Sequence, residues 1–185
     1  MKKFFLLQLV IIAISAGTTQ AQSSLIKVNV LSPVVRTGSV FYEHAIADDK
    51  SLQLGVFYTN FKADDTRFSG YGITPEFRKY LSKSKQAPAG FYLAPFLRYQ
   101  SFKIKADMSE GGTSMEAKGS LNTFGGGLTI GNQWIFGEHF VVDAFFGPSY
   151  NAGKVKVESG DEDSIDAGSF SGFGIRTGLA FGLKF

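Results

Sequence analysis

The strongest constraint on this chain is an alternation of large apolar residues with small or charged ones that continues to the last residue. In "FGIRTGLAFGLKF" one set of positions carries Phe, Ile and Leu, and the other carries Gly, Arg, Ala and Lys. Side chains of a β-strand point to opposite faces with a period of two, so the segment predicts a strand with one apolar face. Residues 173–183 have the length, about 9 to 11 residues, that a tilted strand needs to cross a bilayer.

The same alternation recurs through the rest of the chain, and no segment beyond the first 21 residues has a convincing helical period. The connections alternate between short turns (47–50, 83–89 and 137–139) and segments that are mostly longer and richer in charge. The alternation of side chains predicts an all-β fold. The alternation of short and long connections predicts that this fold is an eight-stranded antiparallel up-and-down transmembrane β-barrel with its short turns in the periplasm. The predicted strands are 25–34, 39–46, 51–62, 70–82, 90–105, 120–136, 140–155 and 169–185.

The start of the chain has the pattern of a secretory signal peptide. Lys2 and Lys3 precede an apolar stretch, 4–16, and small residues follow at Thr19 and Ala21. The alternative, a membrane anchor, needs about 18 to 20 apolar residues, more than this stretch contains. We therefore expect a signal peptide at 1–21 and an outer-membrane β-barrel domain at 22–185.

Composition excludes several kinds of stabilisation and of partner. The sequence has no Cys, which rules out disulfides, a lipid-modified cysteine and thiolate metal sites. Of its 19 Lys and Arg residues two lie in the leader, and the rest nearly balance the 16 Asp and Glu, so no nucleic-acid partner is indicated. Only 19% of residues are charged, against about 25% in soluble domains, which indicates a surface that meets something other than water.

The main alternative fold is a soluble barrel of lipocalin type, in which the apolar face would point inward around a ligand. The opposite face would then be in water and should be rich in charged residues. Instead it is rich in glycine and small polar residues, which suit the narrow lumen of an eight-stranded barrel. We therefore expect the apolar face to meet lipid. Aromatic residues close to the short turns predict a periplasmic girdle of Tyr80, Phe91, Tyr92, Trp134, Phe136, Phe140 and Phe185.

The alternation places a set of charged residues in the lumen. The acids are Glu43, Glu76 and Asp143, and the bases are Arg78, Arg98 and Arg176, with Lys27 and Lys184 near the periplasmic rim. Equal numbers of opposite charges suit a packed interior, because an unpaired buried charge is costly. The favoured interpretation is a structural charge network that fills the barrel, and the alternative is a path for protons or ions.

No motif predicts catalysis, a cofactor or a metal. The two histidines, His44 and His139, both fall beside short turns, away from the outer leaflet where a lipid-modifying enzyme would need its base. The acidic segment 161–166 lacks the Gly and the terminal Glu of a regular calcium loop and is interpreted as a solvated loop. The glycine-rich run 125–131 is followed by no helix and is not a phosphate loop.

Three segments carry a resemblance to a known family: "FYEHA" (41–45), "TPEFRKYL" (74–81) and "GFYLAPFLRY" (90–99). They resemble a family of small outer-membrane β-barrels of unknown function, widespread in Bacteroidota, whose architecture is similar to that of OmpX and the OmpA transmembrane barrel. The resemblance implies that Glu43, Glu76 and Arg78 are inward-facing structural residues. It implies no substrate.

These observations together predict a protein of the outer membrane of a Gram-negative bacterium with a structural or loop-mediated binding role. The alternatives are a narrow conduit for small solutes and, less favoured, a soluble ligand-binding barrel or a lipid-modifying enzyme. Expected partners are outer-membrane lipid, an unidentified loop ligand and the outer-membrane assembly machinery. The terminal Phe185 resembles the signal that this machinery reads.

Overall fold

The computed structural model describes residues 23–63, 66–82, 85–110, 113–159 and 172–185. For residues 63, 106–110, 113–117 and 154–159 it describes the backbone alone. The predicted signal peptide, 1–21, lies outside the described residues and stays a prediction.

Eight antiparallel strands form a closed barrel in which each strand pairs with its neighbours in sequence, and β1 pairs with β8. The prediction of an eight-stranded up-and-down barrel is thus confirmed. The strands are β1 (Ser24–Asn29), β2 (Thr37–Ala47), β3 (Lys50–Ala63), β4 (Thr66–Tyr80), β5 (Gly90–Glu110), β6 (Thr113–Phe136), β7 (Phe140–Ser159) and β8 (Gly172–Lys184).

The two ends of the barrel differ. One end, called here the lower end, carries the turns β2–β3, β4–β5 and β6–β7 together with Ser24 and Phe185. The other, the upper end, carries the remaining connections, including a short 3-10 helix, η1 (Ser32–Val35). At the lower end Ser24 and Phe185 exchange two backbone hydrogen bonds of 3.0 and 2.9 Å, which join the last residue to the first strand.

The two faces of the sheet are divided as the alternation predicts. In β8 Arg176, Gly178 and Ala180 are buried, whereas Phe173, Ile175 and Leu183 are exposed. The large apolar side chains therefore point outward, opposite to the arrangement in a lipocalin. The buried core lies inside the barrel and includes Phe41, Tyr80, Tyr92, Ala94, Phe145 and Ala180.

The predicted strands differ most from the observed ones in two places. The first strand ends at Asn29 instead of 34, because Pro33 cannot donate to a sheet ladder and instead lies in the first turn of η1. The segment 107–119, predicted to be a loop, is mostly strand: Asp107 pairs with Glu116 and Glu110 with Thr113. The sequence between the two paired segments is Gly-Gly, at positions outside the described residues, and Gly-Gly between two strand patterns is a sequence signal for a hairpin.

No helix in the described ranges is long and apolar enough to cross a membrane.

Candidate functional site: a buried charge cluster and the cavity above it

Lys27 lies at the centre of the lower lumen. Its ammonium donates to Glu43 Oε2 at 2.6 Å, to Asp143 Oδ2 at 2.9 Å and to Gln133 Oε1 at 2.5 Å. These partners come from β2, β7 and β6, so one side chain of β1 links four strands. Lys27, Glu43, Gln133 and Asp143 are all almost completely buried.

Arg78 on β4 joins the same carboxylates from the opposite wall. Its Nη1 lies 2.8 Å from Asp143 Oδ2 and 3.2 Å from Glu43 Oε2, and its Nε donates to Glu76 Oε1 at 2.6 Å. Glu76 also accepts a hydrogen bond from Arg176 on β8. The two acids shared by Lys27 and Arg78 are balanced by those two bases, and Glu76 is balanced by Arg176, so no carboxylate in this group is left without a counter-charge.

Neutral side chains complete the cluster. Tyr80 donates to Glu43 Oε1 at 2.6 Å, and Tyr92 donates to Asp143 Oδ1 at 2.8 Å. Ser51 on β3 donates to Glu43 Oε1 at 2.5 Å. The guanidinium carbon of Arg78 lies 4.2 Å from the centre of the Tyr92 ring, within the range of a cation–π contact.

The β4–β5 turn closes the lumen below the cluster. Ala87 packs against the buried core, and its N–H donates to Asp48 O of the β2–β3 turn at 2.7 Å. The Gln133 side chain, already bonded to Lys27, also donates to Pro88 O in this turn. The turn is therefore tied to the lower end of the charge cluster.

The structure differs from the sequence-based assignments at three of these residues. Lys27, expected at the rim, is fully buried. Lys184, also expected there, lies half-buried at the lower end. Tyr80 and Tyr92, assigned to the aromatic girdle, point into the lumen and are 3% and 0% exposed. Strand parity was the missed signal: Tyr80 is in phase with Glu76 and Arg78, and Tyr92 with Arg98. Parity, not nearness to a turn, determines which face these two side chains occupy.

The other predicted lumen residues lie at two levels inside the barrel. Glu43, Glu76, Arg78, Asp143 and Arg176 are buried and lie in one connected cluster. Arg98 lies higher and is half-buried. Its Nε donates to Thr74 Oγ1 at 3.3 Å, and its guanidinium carbon is 5.4 Å from the Phe96 ring centre. Among the side chains that the structure describes, no carboxylate forms an ion pair with Arg98.

Above the cluster the lumen widens into a cavity of about 360 Å³, called here the upper cavity. Arg98, Arg176, Thr74 and Gln100 supply polar groups to its wall, and Phe57 and Phe145 supply aromatic rings. This volume lies within the range of about 300 to 1,000 Å³ that is usual for small-molecule sites.

The outer surface carries two bands of exposed aromatic residues. Phe91, Trp134, Phe136, Phe140 and Phe185 are exposed near the lower end, as the sequence predicts. A second band, which the sequence analysis missed, consists of Tyr58, Tyr71, Tyr99 and Tyr150. Tyr58 pairs with Tyr71 across β3 and β4, and exposed Lys62 and Arg67 pair four residues further up these strands. Aromatic belts followed by charge are typical of the two edges of a membrane-embedded surface.

The histidines lie on separate elements of the lower end. His44 is on β2, where its Nδ1 lies 2.9 Å from Ser24 Oγ, which in turn is 3.2 Å from the Tyr42 hydroxyl. His139 is exposed in the β6–β7 turn. In the part of the chain that the structure describes, no cluster of His, Asp and Glu suited to a metal ion is found. The acidic segment 161–166 lies outside that part.

Comparison with solved structures shows the fold. A major outer membrane protein of Thermus thermophilus matches with a TM-score of 0.56 and 13% identity, over 90% of this chain and 100% of that chain. Neisserial surface protein A matches with a TM-score of 0.45 and 14% identity, over 88% and 93%. Ail, the attachment invasion locus protein of Yersinia pestis, matches with a TM-score of 0.48 and 17% identity, over 89% and 98%. The match to the Thermus thermophilus protein shows that the fold is that of an outer-membrane β-barrel.

No curated protein matches the sequence. Residues 5–154 match a family described as "Protein of unknown function (DUF3575)". Because the match spans most of the sequence, the chain belongs to the DUF3575 family.

Proposed function

We propose that this protein is a non-conducting β-barrel of the outer membrane of a Gram-negative bacterium and that it acts by binding at the cell envelope, not as a solute conduit. The observation that carries the proposal is the buried charge cluster. Its members come from all eight strands, and they fill the lower lumen with side chains that bond to one another.

The contacts in the cluster argue against a passage for ions. A conducting path needs sites that an ion can enter and leave, with water beside the charged groups. Here Lys27, Glu43 and Asp143 are each bonded to other side chains and are at most 1% exposed. The β4–β5 turn lies directly below them and adds a second obstruction.

The upper half of the molecule supports a binding role. The upper cavity is open space bordered by arginines and aromatic rings, and β5, β6 and β7 continue beyond the upper tyrosine band. Catalysis has less support, because the histidines of the chain, His44 and His139, lie at the lower end, away from this cavity.

Planar-bilayer recording tests the proposal. Purified wild-type protein, shown to be folded by its heat-dependent shift in gel mobility, is expected to produce no conductance steps. A variant in which Arg78 and Tyr92 are both replaced by Ala would remove two of the largest buried side chains and serves as the comparison, since leakage through it would show that the assay detects an opened lumen. Discrete conductance steps from folded wild-type protein would overturn the proposal.

Cell fractionation tests the location. We expect the wild-type protein to be recovered with outer membranes, because its exposed apolar surface is bounded by two aromatic bands. Recovery as a stable soluble monomer from the periplasm would contradict the membrane assignment.

A further inference from the structure

The charges of the described lumen do not cancel. Four bases, Lys27, Arg78, Arg98 and Arg176, face three acids, Glu43, Glu76 and Asp143. The three acids are all engaged by Lys27, Arg78 and Arg176, as described above. The surplus positive charge therefore lies at Arg98, on the wall of the upper cavity.

Arg98 and Arg176 form a pair of guanidinium groups on this cavity. Both lie over the ring of Phe96, at 5.4 and 4.5 Å from its centre, and Arg176 also lies 5.0 Å from the centre of the Phe145 ring. The rings lie close to both guanidinium groups but supply no negative charge. Two arginines held together in a half-buried cavity favour an anion that can accept hydrogen bonds from both, such as a carboxylate or a phosphate.

The barrel wall beside this cavity is interrupted. The pairing of β1 with β8 ends at Asn29 and Ala180, and one more backbone bond joins Val30 to Leu179. On β2, pairing with β1 ends at Val40. Above these points the described part of β1 no longer lies between β8 and β2, and the chain leaves the sheet to form η1 before it enters β2. We call this interval the side gap.

Apolar residues border the side gap and are unusually exposed. The exposed fractions are 91% for Phe173, 81% for Val34, 68% for Ile175 and 66% for Val35, higher than for any other large hydrophobic residue described except Phe185. Val35 and Ile175 also line the upper cavity. The cavity therefore continues from the arginines to apolar residues that lie at the level of the membrane-facing surface.

We propose that the upper cavity binds a single-chain anionic amphiphile. The carboxylate or phosphate headgroup is held by Arg98 and Arg176, and the hydrocarbon chain passes over Val35 and Ile175 through the side gap into the bilayer. The inference deepens the proposed binding function and rests on it. Thr74 and Gln100 border the headgroup region and supply further polar contacts.

The test measures binding of three 12-carbon probes, laurate, dodecyl phosphate and dodecanol, to the folded full-length barrel in nanodiscs of neutral lipid, by displacement of a fluorescent fatty acid. Laurate and dodecyl phosphate represent the two headgroups, and the stronger of them identifies which is preferred. Dodecanol is expected to bind at least about tenfold more weakly, because it cannot accept charge-assisted hydrogen bonds from the arginines. Acetate and inorganic phosphate, which lack the chain, are also expected to bind at least about tenfold more weakly.

Two variants separate the cavity from general charge effects. Arg98→Met should weaken binding of the preferred probe by about tenfold or more, whereas Arg67→Met, which removes the same charge from the outer surface, should leave it unchanged. If Arg98→Met does not fold, the comparison of probes on the wild-type protein decides alone. Equal binding of dodecanol and the anions, or no binding of any probe to a folded and non-conducting barrel, would overturn the inference and leave the proposed function standing. Conductance by the wild type would instead overturn the proposed function itself.

Discussion

At the scale of single residues, Lys27 makes three of the hydrogen bonds that cross the lower lumen. It lies on the shortest strand, and its ammonium reaches β2, β6 and β7. Removing a buried cation leaves its acids without a counter-charge, and the cost of breaking such a pair is large even when the intact pair contributes little net stability.

Lys27→Met is expected to lower the free energy of unfolding by about 3 to 5 kcal/mol, because Glu43 and Asp143 would then share Arg78 alone. The matched control is Lys184→Met, at the half-buried lower end of β8, with an expected change within about 0.5 kcal/mol. Urea unfolding in detergent, followed by the fluorescence of the single tryptophan, Trp134, gives both values. Equal losses in the two variants would mean that Lys27 has no special role.

Residue-level prediction from the sequence depended on strand parity. Parity placed Glu43, Glu76, Arg78 and Asp143 on the inner face, where the structure has them buried. It could not show which acid meets which base, because those contacts join strands far apart in sequence: Lys27 and Asp143 are separated by 116 positions. The charge surplus at Arg98 depends on those pairings and therefore became visible only in the structure.

At the scale of strands, the glycines of β6 allow aromatic side chains from other strands to enter the lumen. At Gly131 a Cβ atom would lie 2.5 Å from the Tyr92 hydroxyl and 2.7 Å from Ala144 O. The sequence predicted that these glycines make room in the lumen, but it did not indicate that Tyr92 is one of the side chains that use it.

Gly131→Ala is expected to destabilise the barrel by about 1 to 3 kcal/mol, since Tyr92 would have to move away from Asp143 and the backbone of Ala144 cannot move freely. Gly38→Ala on β2 serves as the control, because a Cβ atom there would have no described atom within 4 Å. The two variants can be compared by urea unfolding in the same detergent. A neutral Gly131→Ala would show that Tyr92 does not occupy this position.

The outer face of β5 allows a test of membrane depth on a single strand. Leu97 is exposed between the two aromatic bands, and Ser101 lies above Tyr99 of the upper band. Leu97→Arg should cost about 1 to 3 kcal/mol and Ser101→Arg about 0 to 1 kcal/mol in lipid vesicles, because Leu97 lies below the upper band and the cost of an outward arginine falls from the bilayer centre to its edge. Similar costs at both positions would contradict the assignment of the outer face to lipid.

At the scale of the whole molecule, β5 and β6 extend further at the upper end than the strands that flank them. β4 pairs with β5 only up to Ala106, and β7 pairs with β6 only up to Lys118. Beyond these points Asp107–Glu110 pair solely with Thr113–Glu116 among the described strands, so the two segments form a two-stranded ribbon above the barrel. The sequence indicated a long upper connection here, but not its paired structure.

The ribbon should contribute little to the stability of the barrel, because an isolated two-stranded hairpin is marginally stable and the buried charge cluster lies in the lower lumen. Replacing residues 107–116 by Asn-Gly joins Ala106 to Ala117, which are already paired, through a two-residue turn that matches the strand twist. We expect the shortened protein to keep its heat-dependent gel mobility, and its free energy of unfolding should stay within about 1 kcal/mol of the wild type, because only the ribbon's own pairing is lost.

Binding of the preferred amphiphile should also be unchanged, because Arg98, Arg176 and the side gap lie outside the deleted segment. A shortened barrel that no longer folds would show that the ribbon nucleates the β5–β6 pairing, and one that folds but loses amphiphile binding would place the binding site in the ribbon.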